Sequence, residues 1–214
     1  MKKSIFLAFL IILLVGCNSV NTPSTQDPSA VNRPGLQTEQ TELDLQAKSD
    51  MSLEIWRQMG GAPVFSSETM NSAAASRLFM QYCTTTGQKI PYSSQDEGWV
   101  TAAPVDEFIS TYFGITPEQL REKDAENTSS KLYDPQMGYI APVNLSGTPD
   151  DIELLSAEQS DTNTISMLLE YHYSLSDGGK YSEKMLLTAD ISANGIHFLS
   201  CSINRIGNEG LMVG

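Results

Sequence analysis

The chain has 214 residues, with 26 acidic side chains against 13 basic ones and a net charge of −13. That balance excludes attachment to a nucleic-acid backbone, which needs clustered Lys and Arg to displace counterions. It also excludes a helix lying on anionic lipid through a basic face, and reads instead as solubility and self-repulsion.

Lys2 and Lys3 begin the chain, and an apolar run from Ile5 to Val15 follows. The run is too short for a membrane-spanning helix, which needs about 20 residues, but it has the layout of an export signal. It closes on Leu14-Val15-Gly16-Cys17. This resembles the lipobox of bacterial lipoproteins: Leu, a small or branched residue, Gly or Ala, then Cys. The resemblance implies that residues 1–16 are a signal peptide, cleaved after Gly16. It further implies that Cys17 carries a diacylglyceryl group with palmitate-type chains, which anchors the protein at the extracytoplasmic face of the cell membrane. Loss of Lys2 and Lys3 would take the net charge from −13 to −15. Residues 17–42 are mostly Ser, Thr, Asn, Gln and Pro, a composition that cannot offset the entropy of ordering. They read as a tether with a reach of about 25–30 Å.

Residues 43–204 are expected to form one domain, and 205–214 a flexible tail. Its first helix is expected from Asp50 to Gly60, with Met51, Ile55, Trp56 and Met59 at helical spacing. A second opens at Ser66 or Ser67 and ends at Gly87. Its apolar stripe holds Ala74, Leu78, Tyr82, Ala75, Phe79 and Cys83. Pro104 to Phe113 reads as a third helix. A fourth starts with Thr116 as N-cap, Pro117 at the first position and Gln119 completing a capping box, and runs to about Lys123.

From Gly138 onward the apolar period falls to two, predicting strands at 138–144, 151–160, 164–175, 181–192 and 195–204. A three-residue loop Asp177-Gly178-Gly179 places Tyr171 opposite Met185 and Leu169 opposite Leu187, so apolar faces coincide. Asn194-Gly195 predicts a two-residue hairpin with Ile191 opposite Phe198. The expected class is therefore α+β: three to four N-terminal helices packed on a C-terminal antiparallel meander of four to five strands.

The residues that carry chemistry are few. His172 and His197 are the two histidines. The expected register sets them opposite Lys184 and Ser192, about 26 Å apart along the intervening strand. They cannot share a metal or a substrate. No Gly-x-Ser-x-Gly elbow, Ser-x-x-Lys pair, calcium loop or glycine-rich phosphate loop occurs, so neither a catalytic residue, a metal site nor a cofactor is assigned. Asp96-Glu97, Asp106-Glu107 and Asp150-Asp151 read as solvated loops or helix starts. Cys83 and Cys201 are compatible with a disulfide, which an exported protein can form, and equally with two buried thiols. Tyr133-Asp134-Pro135-Gln136-Met137-Gly138-Tyr139 joins the helical half to the strands. With Trp99, the residues Tyr133, Asp134 and Tyr139 could border a ligand cleft; the alternative is a turn on Asp134-Pro135 whose tyrosines clamp helices to sheet.

This element order and the Tyr-Asp…Gly-Tyr junction resemble those of small lipoproteins of Gram-positive bacteria. That resemblance implies a helix-on-sheet body in the manner of cystatin-like or nuclear-transport-factor-like cones. The expected function is a non-catalytic module binding a small ligand or an envelope protein. The alternatives are an envelope hydrolase working through carboxylates and an accessory subunit of an envelope complex.

Overall fold

The computed structural model describes residues 34–61, 64–126, 131–142, 145 and 147–204. The signal segment, Cys17 and the tail 205–214 lie outside the described residues. The chain divides after Pro34, and every strand belongs to the second unit, Gly35–Gly214. The order is α1 (Pro34–Gln58), β1 (Phe65–Ser66), α2 (Ser72–Thr86), β2 (Trp99–Val100), α3 (Ala102–Phe113) and α4 (Pro117–Glu126). Then come β3 (Tyr133–Asp134), β4 (Gly138–Ile140), β5 (Asp151–Gln159), β6 (Thr164–Ser174), β7 (Lys180–Ser192) and β8 (Gly195–Ile203). The strands form two antiparallel sheets, ordered β1-β8-β7-β6-β5 and β2-β4-β3. The class is thus α+β, with four helices among the described residues. No helix among the described residues is long and apolar enough to cross a membrane.

α1, α2 and α3 start away from expectation, α3 at Ala102 rather than Pro104, whereas α4 starts at Pro117 as expected. α1 begins at Pro34 rather than Asp50, so residues 34–42, read as tether, have helical backbone. Its buried stripe is Ser49, Ser52, Leu53 and Trp56, continued by Met59 in the turn that follows, while Met51 is half exposed. The two buried serines satisfy their hydroxyls on the carbonyls one turn back, Ser49 on Leu45 and Ser52 on Lys48. α2 begins at Ser72, not at Ser66 or Ser67. Ser66 instead pairs with Ser200 in β1, and Asn71 caps the helix by accepting from Ala74 N at 3.0 Å. The fourth helix carries the expected reciprocal box: Thr116 N donates to Gln119 Oε1 at 2.8 Å, and Gln119 N to Thr116 Oγ1 at 3.3 Å.

In the sheet, the faces agree with the sequence pattern but both hairpin registers differ. Tyr171 faces Glu183, Leu169 faces Met185, and Met167 faces Leu187. The loop has three residues, as expected, but they are Ser176, Asp177 and Gly178. Gly178 holds the left-handed position at φ +85°. Leu175 closes the loop, donating from its N to Gly179 O at 2.8 Å and accepting from Gly178 N at 3.0 Å. Moving the loop by one residue shifts pairing by two, which preserves every facing. The β7–β8 hairpin shifts likewise: Ala193-Asn194 make the turn and Ile191 pairs with Ile196. A mirror-image turn on Asn194-Gly195 needs positive φ at Asn194, and no described non-glycine residue has one.

The strand expected at 138–144 is not part of the meander. Its first three residues form the centre of the small sheet, between β2 and β3, and β1 takes the fifth place in the large one.

The core lies between the helices and one face of the large sheet. Ile165, Met167, Leu169, Tyr171, Met185, Leu187, Ala189, Phe198 and Cys201 are all buried there. Trp56 packs on Phe198 with ring centroids 4.8 Å apart, and Phe113 sits 5.2 Å from Phe65 and 6.3 Å from Phe198. Trp56 Nε1 donates to Tyr171 OH at 2.5 Å, satisfying an indole that is fully buried. The opposite face alternates with this one and carries Ser166, Leu168, Glu170 and His172, each half-buried.

Candidate functional site

Strand pairing decides what the Tyr-Asp…Gly-Tyr junction can do. Tyr133 stands opposite Tyr139 across β3 and β4, with ring centroids 5.0 Å apart. Trp99 pairs with Ile140, whereas its neighbour Val100 pairs with Tyr139. Successive residues of a strand point to opposite faces, so Trp99 leaves the small sheet on the other side from both tyrosines. The four residues named from sequence therefore do not converge on one cleft.

The side chains of Tyr133, Asp134 and Tyr139 each have a partner within the protein. Asp134 is held by Lys131 and accepts from Gln136 N at 2.8 Å and Met137 N at 3.1 Å. The Lys131 ammonium and then the two amides hold its carboxyl below the usual range. It folds the turn into β4. Tyr139 is fully buried and donates its hydroxyl to Asp106 on α3, which also pairs with Arg121 of α4 at 3.0 Å. Burial first, and then the Asp106 carboxylate, push the Tyr139 hydroxyl's pKa upward. The Arg121 guanidinium lies 4.1 Å from the centre of the Tyr133 ring. Asp106, Arg121, Tyr133 and Tyr139 thus lock α3 and α4 to the small sheet. The clamp alternative describes this junction.

Space for a ligand lies elsewhere, between α2 and α3. A cavity of about 450 Å³ is lined there by side chains of both helices and of the segment that follows α2. Phe79, Cys83 and Phe108 are its buried lining, and Tyr82 and Tyr112 are half-buried. Gln88, Lys89, Glu107 and Thr111 are exposed at its rim. The aromatic groups form one connected set: Phe108 is 5.6 Å from Phe79, 5.2 Å from Tyr82 and 5.3 Å from Tyr112, and Tyr82 and Tyr112 are 6.0 Å apart. The spacing that builds it is helical. Phe108 and Tyr112 are four apart on α3, as are Phe79 and Cys83 on α2, so each pair stacks on one face. Gln88 Nε2 donates to Tyr82 OH at 3.2 Å, tying the end of α2 to this wall. Burial and then the neighbouring Tyr82 raise the Tyr112 pKa, so the Tyr112 phenol is a neutral donor at neutral pH.

The adjacent acids Asp106 and Glu107 diverge by about 100° around α3. Asp106 turns to Arg121, and Glu107 reaches the cleft, where it is the single carboxylate of the lining. An apolar aromatic interior with a few polar groups at the mouth is the usual composition of a small-molecule site. It offers stacking surface, two phenol hydroxyls and one charge of each sign.

Cys83 and Cys201 are both free thiols. Burial raises the Cys83 thiol and pushes Cys201 up to about 12, so neither is a thiolate nucleophile at neutral pH. Cys201 Sγ lies 3.9 Å from Tyr171 OH. The histidines are opposite Ser182 and Asp190, not Lys184 and Ser192. The two registers moved together, so the pair remains eight residues apart along β7, about 26 Å. His197 packs against Gly114 at the end of α3, where an added Cβ would come within 2.9 Å of its Nδ1. His172 lies 3.7 Å from Glu153.

No protein-family model, curated protein or solved structure matches this chain.

Proposed function

We propose that this protein is a non-catalytic binding module, held at the extracytoplasmic face of the membrane through lipid on Cys17. The observation that carries the binding reading is the aromatic cleft between α2 and α3. Its chemistry suits a planar or aromatic group with a polar end, such as a small amphiphile or an aromatic side chain of an envelope peptide: rings stack on Tyr82, Phe108 and Tyr112, and Lys89 or Glu107 takes the polar end. A glycosidase-type hydrolase needs two carboxylates about 5–9 Å apart. The single carboxylate of this lining, Glu107, favours binding over that chemistry.

The anchor reading rests on the Leu14-Val15-Gly16-Cys17 motif. The body implied by the motif's family, with helices on one face of a cone-like meander, is part of the same reading; its support is the element order and the core formed between α1, α3 and the large sheet.

Two experiments test the proposal. For the cleft, N-acetyl-tyrosinamide is titrated against the full chain and the Tyr82→Ala and Tyr112→Ala variants by isothermal calorimetry. Saturable binding that either variant weakens at least about tenfold, a loss near 1.4 kcal/mol, supports it. Equal binding by all three proteins refutes it. For the anchor, the Cys17→Ala variant is expected in the soluble fraction after cell lysis. Retention in the membrane fraction at unchanged mobility contradicts the lipobox reading.

A further inference from the structure

On the open face of the large sheet, away from the α2–α3 cleft, three metal-ligating side chains converge. Glu153 of β5 stands directly opposite Glu170 of β6. His172 is two residues further along β6 and therefore on the same face. One ligand atom from each of the three lies within 4.8 Å of the other two, and His172 Nε2 is 3.7 Å from Glu153 Oε2. Two carboxylates facing each other across a ladder repel, and a cation between them reverses that sign. Glu170 is oriented: its Oε1 accepts from Ser182 Oγ at 2.8 Å. An outer hydrogen bond of this kind fixes a ligating carboxylate. His172 also borders a separate cavity of about 580 Å³, lined by Asp150, Asp151, Tyr173 and Lys180 among others, which leaves room for water on the remaining coordination positions.

We propose that Glu153, Glu170 and His172 form a divalent-metal site of the Zn²⁺ class. One imidazole and two carboxylates are a borderline donor set that suits Zn²⁺ and excludes the hard-cation preference of an all-oxygen Ca²⁺ site. Tetrahedral Zn²⁺ takes three protein ligands and one water in such an open site. The ligands sit on two paired strands, so the backbone fixes their spacing. The ligand atoms, within 4.8 Å of one another, need to close to about 3.3 Å, their separation around a tetrahedral Zn²⁺ with bonds of about 2.0 Å, and that contraction falls on the flexible glutamate side chains. Lys184 stands opposite Glu170 on β7 and is the local cation with which the metal competes. Asp151, opposite His172, adds negative potential at the same end.

The test uses the full chain without a polyhistidine tag, stripped with EDTA, and titrated with ZnCl₂ by isothermal calorimetry. One equivalent is expected to bind with a dissociation constant on the order of 10 µM. His172→Ala and Glu170→Gln should each weaken it at least about tenfold. His197→Ala should leave it unchanged, and Lys184→Gln should tighten it. CaCl₂ should bind at least about tenfold more weakly than ZnCl₂. NMR of the wild-type chain supplies a second reading that needs no variant: Zn²⁺ should shift the His172 imidazole resonances and leave those of His197 in place. Binding that persists in His172→Ala, that disappears in His197→Ala, or that is weaker than about 1 mM overturns the proposal. These outcomes leave the α2–α3 cleft untouched, because no residue is common to the two.

Discussion

Replacing Tyr171 with Phe removes one hydroxyl from the core and leaves the packing of its ring intact. That hydroxyl accepts from Trp56 Nε1 at 2.5 Å and lies 3.9 Å from Cys201 Sγ. Trp56 is fully buried and Tyr171 is 1% exposed, so no solvent replaces the lost acceptor. Leaving a buried donor unpaired costs about 1–3 kcal/mol, and the sulfur that remains nearby is a weak acceptor. We expect a destabilisation of about 2 kcal/mol, equivalent to about 4–8 °C in Tm for a domain of this size. Urea denaturation followed by tryptophan fluorescence measures it, and the m-value should be unchanged because the same surface is exposed on unfolding. Trp56→Phe in the Tyr171→Phe background should then cost less than Trp56→Phe alone, since the indole's partner is already gone. A Tyr171→Phe change within about 0.5 kcal/mol of zero, or strict additivity in the double variant, would refute the reasoning.

Four more outcomes follow from the same structure. Gly138 has φ +103°, and an added Cβ would clash with Val100 O; Gly138→Ala should cost about 3 kcal/mol or more and loosen the small sheet, read by denaturation and by exchange of the Tyr139 amide. Asp106→Asn keeps an acceptor for Tyr139 but removes the charge that pairs with Arg121, so a loss of about 1–3 kcal/mol is expected in denaturation at neutral pH. The Cys201 thiol titrates at about 12 in the folded state against an ordinary thiol range when unfolded. The unfolded chain therefore binds fewer protons between about pH 9 and 12, and stability present below pH 9 is lost as pH rises, by up to about 1.4 kcal/mol per unit from this group. Cys201→Ala should flatten that slope. Without reductant, a thiol reagent should leave Cys201 unmodified in the native Cys17→Ala chain and count both remaining thiols after denaturation; finding none would mean a disulfide.

Local rules survived where they act through near neighbours. The capping box on Thr116 and Gln119, the stops at Gly87 and Gly114, and the alternation of β6 and β7 are all set within a few residues, and all are present. Register was legible only to parity. Gly178 and Gly179 can each supply a left-handed position, and choosing the other moves the pairing by two, which no apolar-face argument can detect. α1 starts earlier than its apolar pattern shows, because the residues before Asp50 lack a strong apolar period. β1, β2 and β3 have two residues each. Such strands exist only through their tertiary partners and leave no periodic trace. The junction residues Tyr133, Asp134 and Tyr139 were visible as a group, but their clamp depends on Asp106 and Arg121, distant in sequence. The cleft was half visible. Phe79 and Cys83 lay on a recognised stripe, and the Phe108–Tyr112 spacing was available as a second, but only helix packing sets the two face to face.

The binding reading is tested most directly by locating where an aromatic amphiphile sits on the wild-type chain. ¹⁵N-labelled protein titrated with N-acetyl-tyrosinamide should show saturable shifts at the amides of Tyr82, Gln88, Lys89, Thr111 and Tyr112, with those of Tyr133 and Tyr139 unmoved. Shifts centred on Tyr133 and Tyr139, or no saturable shift below about 10 mM, would contradict it.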